Sequence, residues 1–253
     1  MNKNSAPILE VKNLVKRFGD YTAVNGVSFD VKEGEILGFL GPNGAGKTTT
    51  IYCILGLIEK DGGSVKVFGK DFAKYRSEIL EQVNYSSAEF TLIWNLSVWE
   101  NLTVFAKLYG VSNYKTRVKE LLDIFEIADL KNKLIRNLSF GQRTRASLCK
   151  AFINKPKLLL LDEPMASLDP DVVDKGIALI KRIQKEEKMS VLYTSHNMWE
   201  IEELATDVVF MNHGKIVAQG SPLELTKRVL KLETKEPSLR EVFIEIARTK
   251  NAA

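Results

Sequence analysis

Cysteine and histidine are scarce in this chain, with two of each among 253 residues. Cys53 and Cys149 both fall in stretches of helical texture with no pairing or metal spacing, so they read as reduced packing residues and exclude a disulfide framework. No run approaches the roughly 18 apolar residues that a bilayer span needs, so a membrane role would require another chain. Met1 to Pro7 lack the apolar core of a signal peptide. Repeats and low-complexity tracts are missing. A strong charge of either sign is missing too: a net +4 is a weak nucleic-acid footprint, though it suits the inner face of an anionic membrane. What remains, 45% hydrophobic and 27% charged residues, is ordinary for a soluble globular protein long enough to bury a sizeable core.

The stretch around which the chain is organised is Gly41-Pro-Asn-Gly-Ala-Gly-Lys-Thr48. An apolar run, Glu35 to Leu40, precedes it and reads as a short buried strand. Thr49 to Ile58 follows, with Ile51, Ile54, Leu55 and Ile58 on one helical face. Strand, glycine-rich turn and helix N-terminus are the parts of a phosphate cradle. Gly41, Gly44 and Gly46 are expected to take conformations closed to other residues and so turn successive N–H groups onto an anion. The helix dipole adds positive potential, Lys47 reaches the β- and γ-phosphates, and Thr48 offers a hydroxyl to Mg²⁺. The alternative, a chance glycine-rich turn, explains neither the strand before nor the helix after.

Strands are expected at Ile8–Val15 and Ala23–Val31, with Lys16 to Tyr21 as a turn carrying aromatics, and at Ser64–Phe68. From about 88 to 155 the texture is helical. Val98, Leu102, Phe105 and Tyr109 form one stripe, and Val118, Leu121, Leu122 and Phe125 a second, which Asn113 is placed to cap. A basic helix over about Gln142–Asn154 ends before Pro156. Leu158–Asp162 reads as a strand buried on both faces, followed by a helix with Val173, Ile177, Ile180 and Ile183 inward. Further strands are expected at Ser190–Thr194, Asp207–Met211 and Lys215–Ala218. After Pro222–Leu232 and a polar link, a last amphipathic helix shows Leu239, Val242, Phe243 and Ile246. The order describes an α/β domain with a helical insertion.

Three more motifs carry chemistry. Asp162 and Glu163 stand at the carboxyl end of a buried strand, the edge where open α/β sheets bind ligands. Asp162 suits Mg²⁺, and Glu163 suits polarising a water for attack on the γ-phosphorus. Leu138-Ser-Phe-Gly-Gln142 combines a hydroxyl, a glycine and a helix N-terminus, a second anion-binding device. By itself it also passes for a helix cap. One site needs only one phosphate cradle, so the second is expected to serve a nucleotide held by another copy. Ser167-Leu-Asp169 and Thr194-Ser-His196 complete the set, His196 alone being equally readable as a surface histidine.

Together these motifs resemble the ATP-binding subunit of ABC transporters over essentially the whole chain. The resemblance implies a P-loop NTPase core with a mostly parallel sheet, an N-terminal antiparallel β-subdomain and an inserted α-helical subdomain. It places the ATP-binding domain at 1–232, with 88–155 inserted, and a short helical extension at 233–253. It implies two subunits, with a homodimer expected, that sandwich two ATP. Gly41, Pro42, Asn43, Gly44, Ala45, Gly46, Lys47, Thr48 and Thr49 would form the Walker A loop, and Asp162 with Glu163 the end of Walker B. Glu163 would be the catalytic base and His196 the switch histidine on the γ-phosphate. Ser139, Gly141 and Gln142 would belong to the signature facing the partner's ATP, and Asp169 to the D-loop. Phe18 would stack on adenine, its alternative being a half-buried turn residue. Two departures stand out. Phe140 replaces the signature's usual third residue, a glycine. The Q-loop glutamine position falls on Ala88, so either neighbouring Glu89 substitutes as the Mg²⁺ contact, the reading favoured here, or that contact is missing.

The resemblance further implies a separate integral membrane permease at the cytoplasmic face. Its coupling surface would run from Ser86 to about Tyr109, where Phe90, Trp94 and Trp99 are either exposed contacts or core packing. Pro237 to Glu245 resembles the ending of ABC-2-type export ATPases, which points to efflux. A soluble ABC ATPase is the alternative, but the chain has neither a second cassette nor long arm insertions. A small-molecule kinase would leave Leu138–Gln142 and Ser167–Asp169 unexplained.

Overall fold

The computed structural model describes residues 6–87, 92–166 and 168–251. In chain order the elements are β1 (Pro7–Phe18), β2 (Tyr21–Lys32), β3 (Ile36–Leu40), α1 (Lys47–Ile54), β4 (Gly62–Val67), β5 (Lys70–Asp71), α2 (Arg76–Leu80) and β6 (Val83–Ser87). There follow α3 (Val98–Leu108), α4 (Tyr114–Ile124), α5 (Phe140–Ala151), β7 (Leu158–Asp162) and α6 (Pro170–Glu187). The last are β8 (Ser190–Ser195), α7 (Met198–Leu204), β9 (Asp207–Asn212), β10 (Lys215–Gly220), α8 (Pro222–Leu230) and α9 (Leu239–Asn251). The chain forms two compact units, Met1–Arg76 with Ser190–Ala253, and Ser77–Met189.

In the first unit, β1 is flanked by β2 and β4 in an antiparallel sheet that β5 extends. A second sheet has β3 between parallel β8 and β9, with β10 antiparallel on β9. All five residues of β3 are buried, as a central strand covered on both faces requires. Gly38 of β3 lets α7 come close, since a Cβ there would stand 2.7 Å from Ile201 Cγ2. The β1–β2 turn is tighter than the sequence suggests. Lys16, Arg17 and Phe18 are strand residues, and only Gly19 and Asp20 turn. Helix α1 is also shorter than expected. Gly56, at φ +61°, ends it, so Ile51, Ile54 and Leu55 are buried while Ile58 lies beyond the helix and half-buried. Cys53 is a buried free thiol that burial pushes up to about 11. Helix α9 packs on α7 and α8, with Phe243 stacked on Phe210 of β9 at 6.1 Å.

The second unit pairs β6 with β7 in parallel, Ser87 opposite Asp162. Segment 76–87 was not assigned from the sequence; it holds α2 and β6, whose Asn and Ser residues hide the strand pattern. Val118, Leu121, Leu122 and Phe125 are buried as expected, as are the four apolar residues of α6, each contributing about 1.5–3 kcal/mol. On α3, Val98 and Leu102 are buried but Phe105 is half-exposed, and Tyr109 caps the helix. Asn113 precedes α4 without capping it: its Oδ1 accepts the Thr116 hydroxyl at 3.0 Å. Helix α5 starts two residues before the expected Gln142, because Ser139 and Gln142 close a capping box. Among the described residues no helix is long and apolar enough to cross a membrane.

Candidate functional site

The phosphate loop leaves the carboxyl end of β3 and enters α1. Gly44 and Gly46 have φ of +78° and +103°, open to glycine without strain. Gly41 is needed for a different reason than expected. Its φ is not left-handed, but a Cβ would run into the Met211 carbonyl of β9. A Cβ on Gly46 would likewise meet the Ala23 carbonyl of β2. The Gly214 amide donates to the Ala45 carbonyl at 3.0 Å, so β2, β9 and the β9–β10 turn together fix the loop's path. Helix α1 has Gly46 as its N-cap, no side-chain cap bond and no acid in its first turn. The amides of Lys47, Thr48 and Thr49 thus meet no side chain of their own helix end, an arrangement that fits a phosphate. Lys47 is buried, its Nζ donating to the Gly41 carbonyl at 2.7 Å and the Pro42 carbonyl at 3.2 Å. It braces the loop from within, beside the place where an anion would sit. Asn43 and Thr48 are exposed, and Pro42 and Thr49 half-buried.

His196 belongs to the same edge. Strands β3 and β8 run parallel with Leu40 opposite Ser195, so Gly41 and His196 both begin where their strands end. Phe18, at the tip of the β1–β2 hairpin, is 52% exposed with Lys16 Nζ 5.2 Å from its ring centre. An exposed ring suits a stacking platform better than a core role.

In the second unit, Asp162 ends β7 and is buried. Glu163 follows with φ +50°, a conformation that costs a non-glycine residue about 1 kcal/mol or more and turns the chain sharply off the strand. Ser139 Oγ accepts the Gln142 amide at 3.3 Å, and Gln142 Oε1 accepts the Ser139 amide at 3.0 Å. The sequence left cap and anion device as alternatives for Ser139; the capping box uses the hydroxyl only as an acceptor, leaving its proton to donate. Ser139, Gly141, Gln142 and Asp169 line one hollow of about 480 Å³. Asp169 is the exposed N-cap of α6 and makes no side-chain cap bond.

A family model described as ABC transporter matches residues 24–166. The chain is an ATP-binding subunit of the ABC transporter family. Among its relatives, the bacitracin transport ATP-binding protein BcrA of Bacillus licheniformis is 35% identical over 221 residues, 87% of this chain and 72% of that protein. The Nod factor export ATP-binding protein I of Ralstonia nicotianae is 32% identical over 96% of this chain and 78% of its own length. The spermidine/putrescine import ATP-binding protein PotA of Pseudomonas aeruginosa is 33% identical, covering 85% of this chain and 60% of itself. A solved ATP-binding subunit of an ABC transporter superposes with a TM-score of 0.86 at 27% identity, covering 95% of this chain and 99% of that one.

The ABC subunit is therefore an ATPase with the P-loop fold, a mostly parallel mixed sheet and an antiparallel N-terminal sheet. The positions Ala88, Glu89, Phe90 and Ser167 lie outside the described residues. Trp94 is 52% exposed, with the Arg143 guanidinium 5.4 Å from its ring, while Trp99 is half-buried. Sequence reasoning missed Asn101, a fully buried amide on α3 that bonds the Ile93 amide and the carbonyls of Ile93, Leu96 and Ser97. It also missed Glu200, a buried acid on α7. In the acidic stretch Glu200, Glu202 and Glu203 nothing distinguishes Glu200 from a solvated charge except its place four residues after His196.

Proposed function

We propose that this ABC subunit drives efflux through a separate permease, as one of two copies that close head to tail around two ATP at the cytoplasmic face of the membrane. The observation that supports this is the pair of helix N-termini that carry the two glycine-containing motifs, α1 in one unit and α5 in the other. One nucleotide needs one cradle, so the Ser139–Gly141 turn is assigned to the partner's γ-phosphate and Asp169 to the same interface. The direction of transport rests on the likeness of Pro237–Glu245 to ABC-2-type exporters; relatives named for export and for import both resemble this chain.

In this reading the amides of α1 and Lys47 bind the β- and γ-phosphates, Phe18 stacks on the adenine, and His196 contacts the γ-phosphate. Thr48 and Asp162 are oxygen donors of the kind Mg²⁺ takes, and Glu89 is proposed as the third contact. When bound, Mg²⁺ neutralises charge on the phosphate oxygens. Glu163 takes a proton from water as the water oxygen bonds to the γ-phosphorus. The bond from that phosphorus to the β,γ-bridging oxygen breaks, leaving ADP and phosphate. Closure on ATP and opening after hydrolysis make the chemical cycle mechanical. The exposed Ile93 and Trp94 stand on the face assigned to the permease.

Glu163→Gln tests the assignment. Turnover is expected to fall about 10²–10⁴-fold, the range of a lost general base, with ATP affinity within a few-fold of wild type. Hydrolysis at the wild-type rate would remove Glu163 from the role.

A further inference from the structure

The turn that presents His196 is held by a buried carboxylate with no role in the reading above. Glu200 lies in the first turn of α7 and is 5% exposed. Its Oε2 accepts the Tyr193 hydroxyl at 2.8 Å and the Ser195 hydroxyl at 3.0 Å. Ser195 donates to Glu200 and therefore has lone pairs to accept the Asn197 amide, at 2.9 Å. Asn197 Oδ1 in turn accepts the Trp199 amide at 3.1 Å and caps α7. His196 is thus bracketed on both sides. The residue before it is fixed by strand pairing with Leu40 and by Glu200; the residue after it is tied by its amide to that same serine. Helix α7 has little room to slide, because Ile201 packs closely on Gly38 of β3.

A buried carboxylate is unfavourable unless its oxygens are hydrogen-bonded, and an apolar residue would pack a helix onto a strand with less penalty. Here both hydroxyls that satisfy it come from β8, within three residues of His196 on the N-terminal side. We propose that Glu200 is a positioning residue for His196, setting the backbone of the turn through Ser195 and Asn197 so that the imidazole meets the γ-phosphate. The proposal rests on the reading of His196 given above.

A double-mutant cycle on the full chain tests it, with steady-state ATP hydrolysis as the readout. Glu200→Gln keeps the volume and one acceptor oxygen but gives up the stronger, charge-assisted hydrogen bonds of a carboxylate. Alone it is expected to lower kcat at least fivefold, with KM for ATP within twofold. His196→Ala is expected to lower kcat at least tenfold, and the double variant to match His196→Ala within twofold. Glu200→Asp, which restores a carboxylate on a side chain one methylene shorter, should recover part of the loss. Should Glu200→Gln reduce kcat equally with and without His196, its effect does not pass through the histidine and the proposal is wrong. Wild-type kcat in Glu200→Gln beside a defective His196→Ala overturns the proposal and leaves the histidine's role intact. Wild-type kcat in His196→Ala overturns that role and the proposal with it. If Glu200→Gln does not fold, Ser195→Ala runs the same cycle by removing the link between Glu200 and Asn197, and the same outcomes decide.

Discussion

Helix α1 begins at a left-handed glycine with no side-chain cap bond, whereas α5 begins at Ser139, whose hydroxyl and the Gln142 amide oxygen satisfy the helix end from within. Both sit where the sequence places an anion. The first leaves its electrostatic demand to a ligand, and the rigidity comes from outside, from the carbonyls of Ala23 and Met211 that only glycine can approach so closely. The second is self-sufficient and offers a ligand one hydroxyl proton and an approach over Gly141. In the proposed dimer the open end would bind phosphate by itself, and the capped end would contribute once another chain brings the phosphate to it. That difference is what a shared site between two copies requires.

The comparison can be broken at either end. The largest effect is expected from Lys47→Ala, which removes both the brace on the Gly41 and Pro42 carbonyls and the charge on the phosphates. Loss of a charged hydrogen-bond donor predicts ATP affinity down about 100-fold by titration with a fluorescent analogue. Unchanged affinity would contradict the cradle. Ser139→Asp separates the two duties of the signature serine. Aspartate caps helices as well as serine, so Tm is expected within about 2 °C of wild type. In the proposed dimer its charge would face the partner's phosphate, and turnover is expected to drop by tens of fold. Turnover intact with Tm unchanged would mean that Ser139 is a cap alone.

The smallest effect lies at the other end of β3, away from the loop. Burial and the adjacent Asp207 push the Glu35 carboxyl up to about 7, while Lys32 and its amide oppose the shift. The folded chain therefore holds a proton that the unfolded chain releases between pH 4.5 and 7. Glu35's contribution to stability is full below that window and is lost as pH rises through it, at roughly 1 kcal/mol per pH unit. Glu35→Gln keeps an acceptor for the Lys32 amide and should flatten this slope in urea titrations at pH 5, 6 and 7. An unchanged slope would assign it to another group.

Much of this was legible because the phosphate loop, the β7 carboxylates and the α6 stripe are dictated by local pattern. Where reading failed, the cause was tertiary. Gly56 looked like one more helix residue, and only its position under Phe72 and its left-handed φ show it as a stop. Strand β6 carries Asn84 and Ser86, buried because Lys150, Asn154 and Ser147 of the α5 region bond to them, contacts with no local signature. Gly41 was marked correctly for the wrong reason, since its neighbour Met211 is 170 residues away in sequence. Glu200 was invisible because a buried acid and a solvated one are the same letter.

The central claim is that the open end in one chain and the capped end in another enclose one ATP. The solution mass of Glu163→Gln, with and without ATP and Mg²⁺, tests it most directly. The account predicts a monomer that becomes a dimer only with nucleotide, and a monomer under both conditions once Ser139→Asp is added. A Glu163→Gln chain that stays monomeric while ATP is demonstrably bound would contradict it.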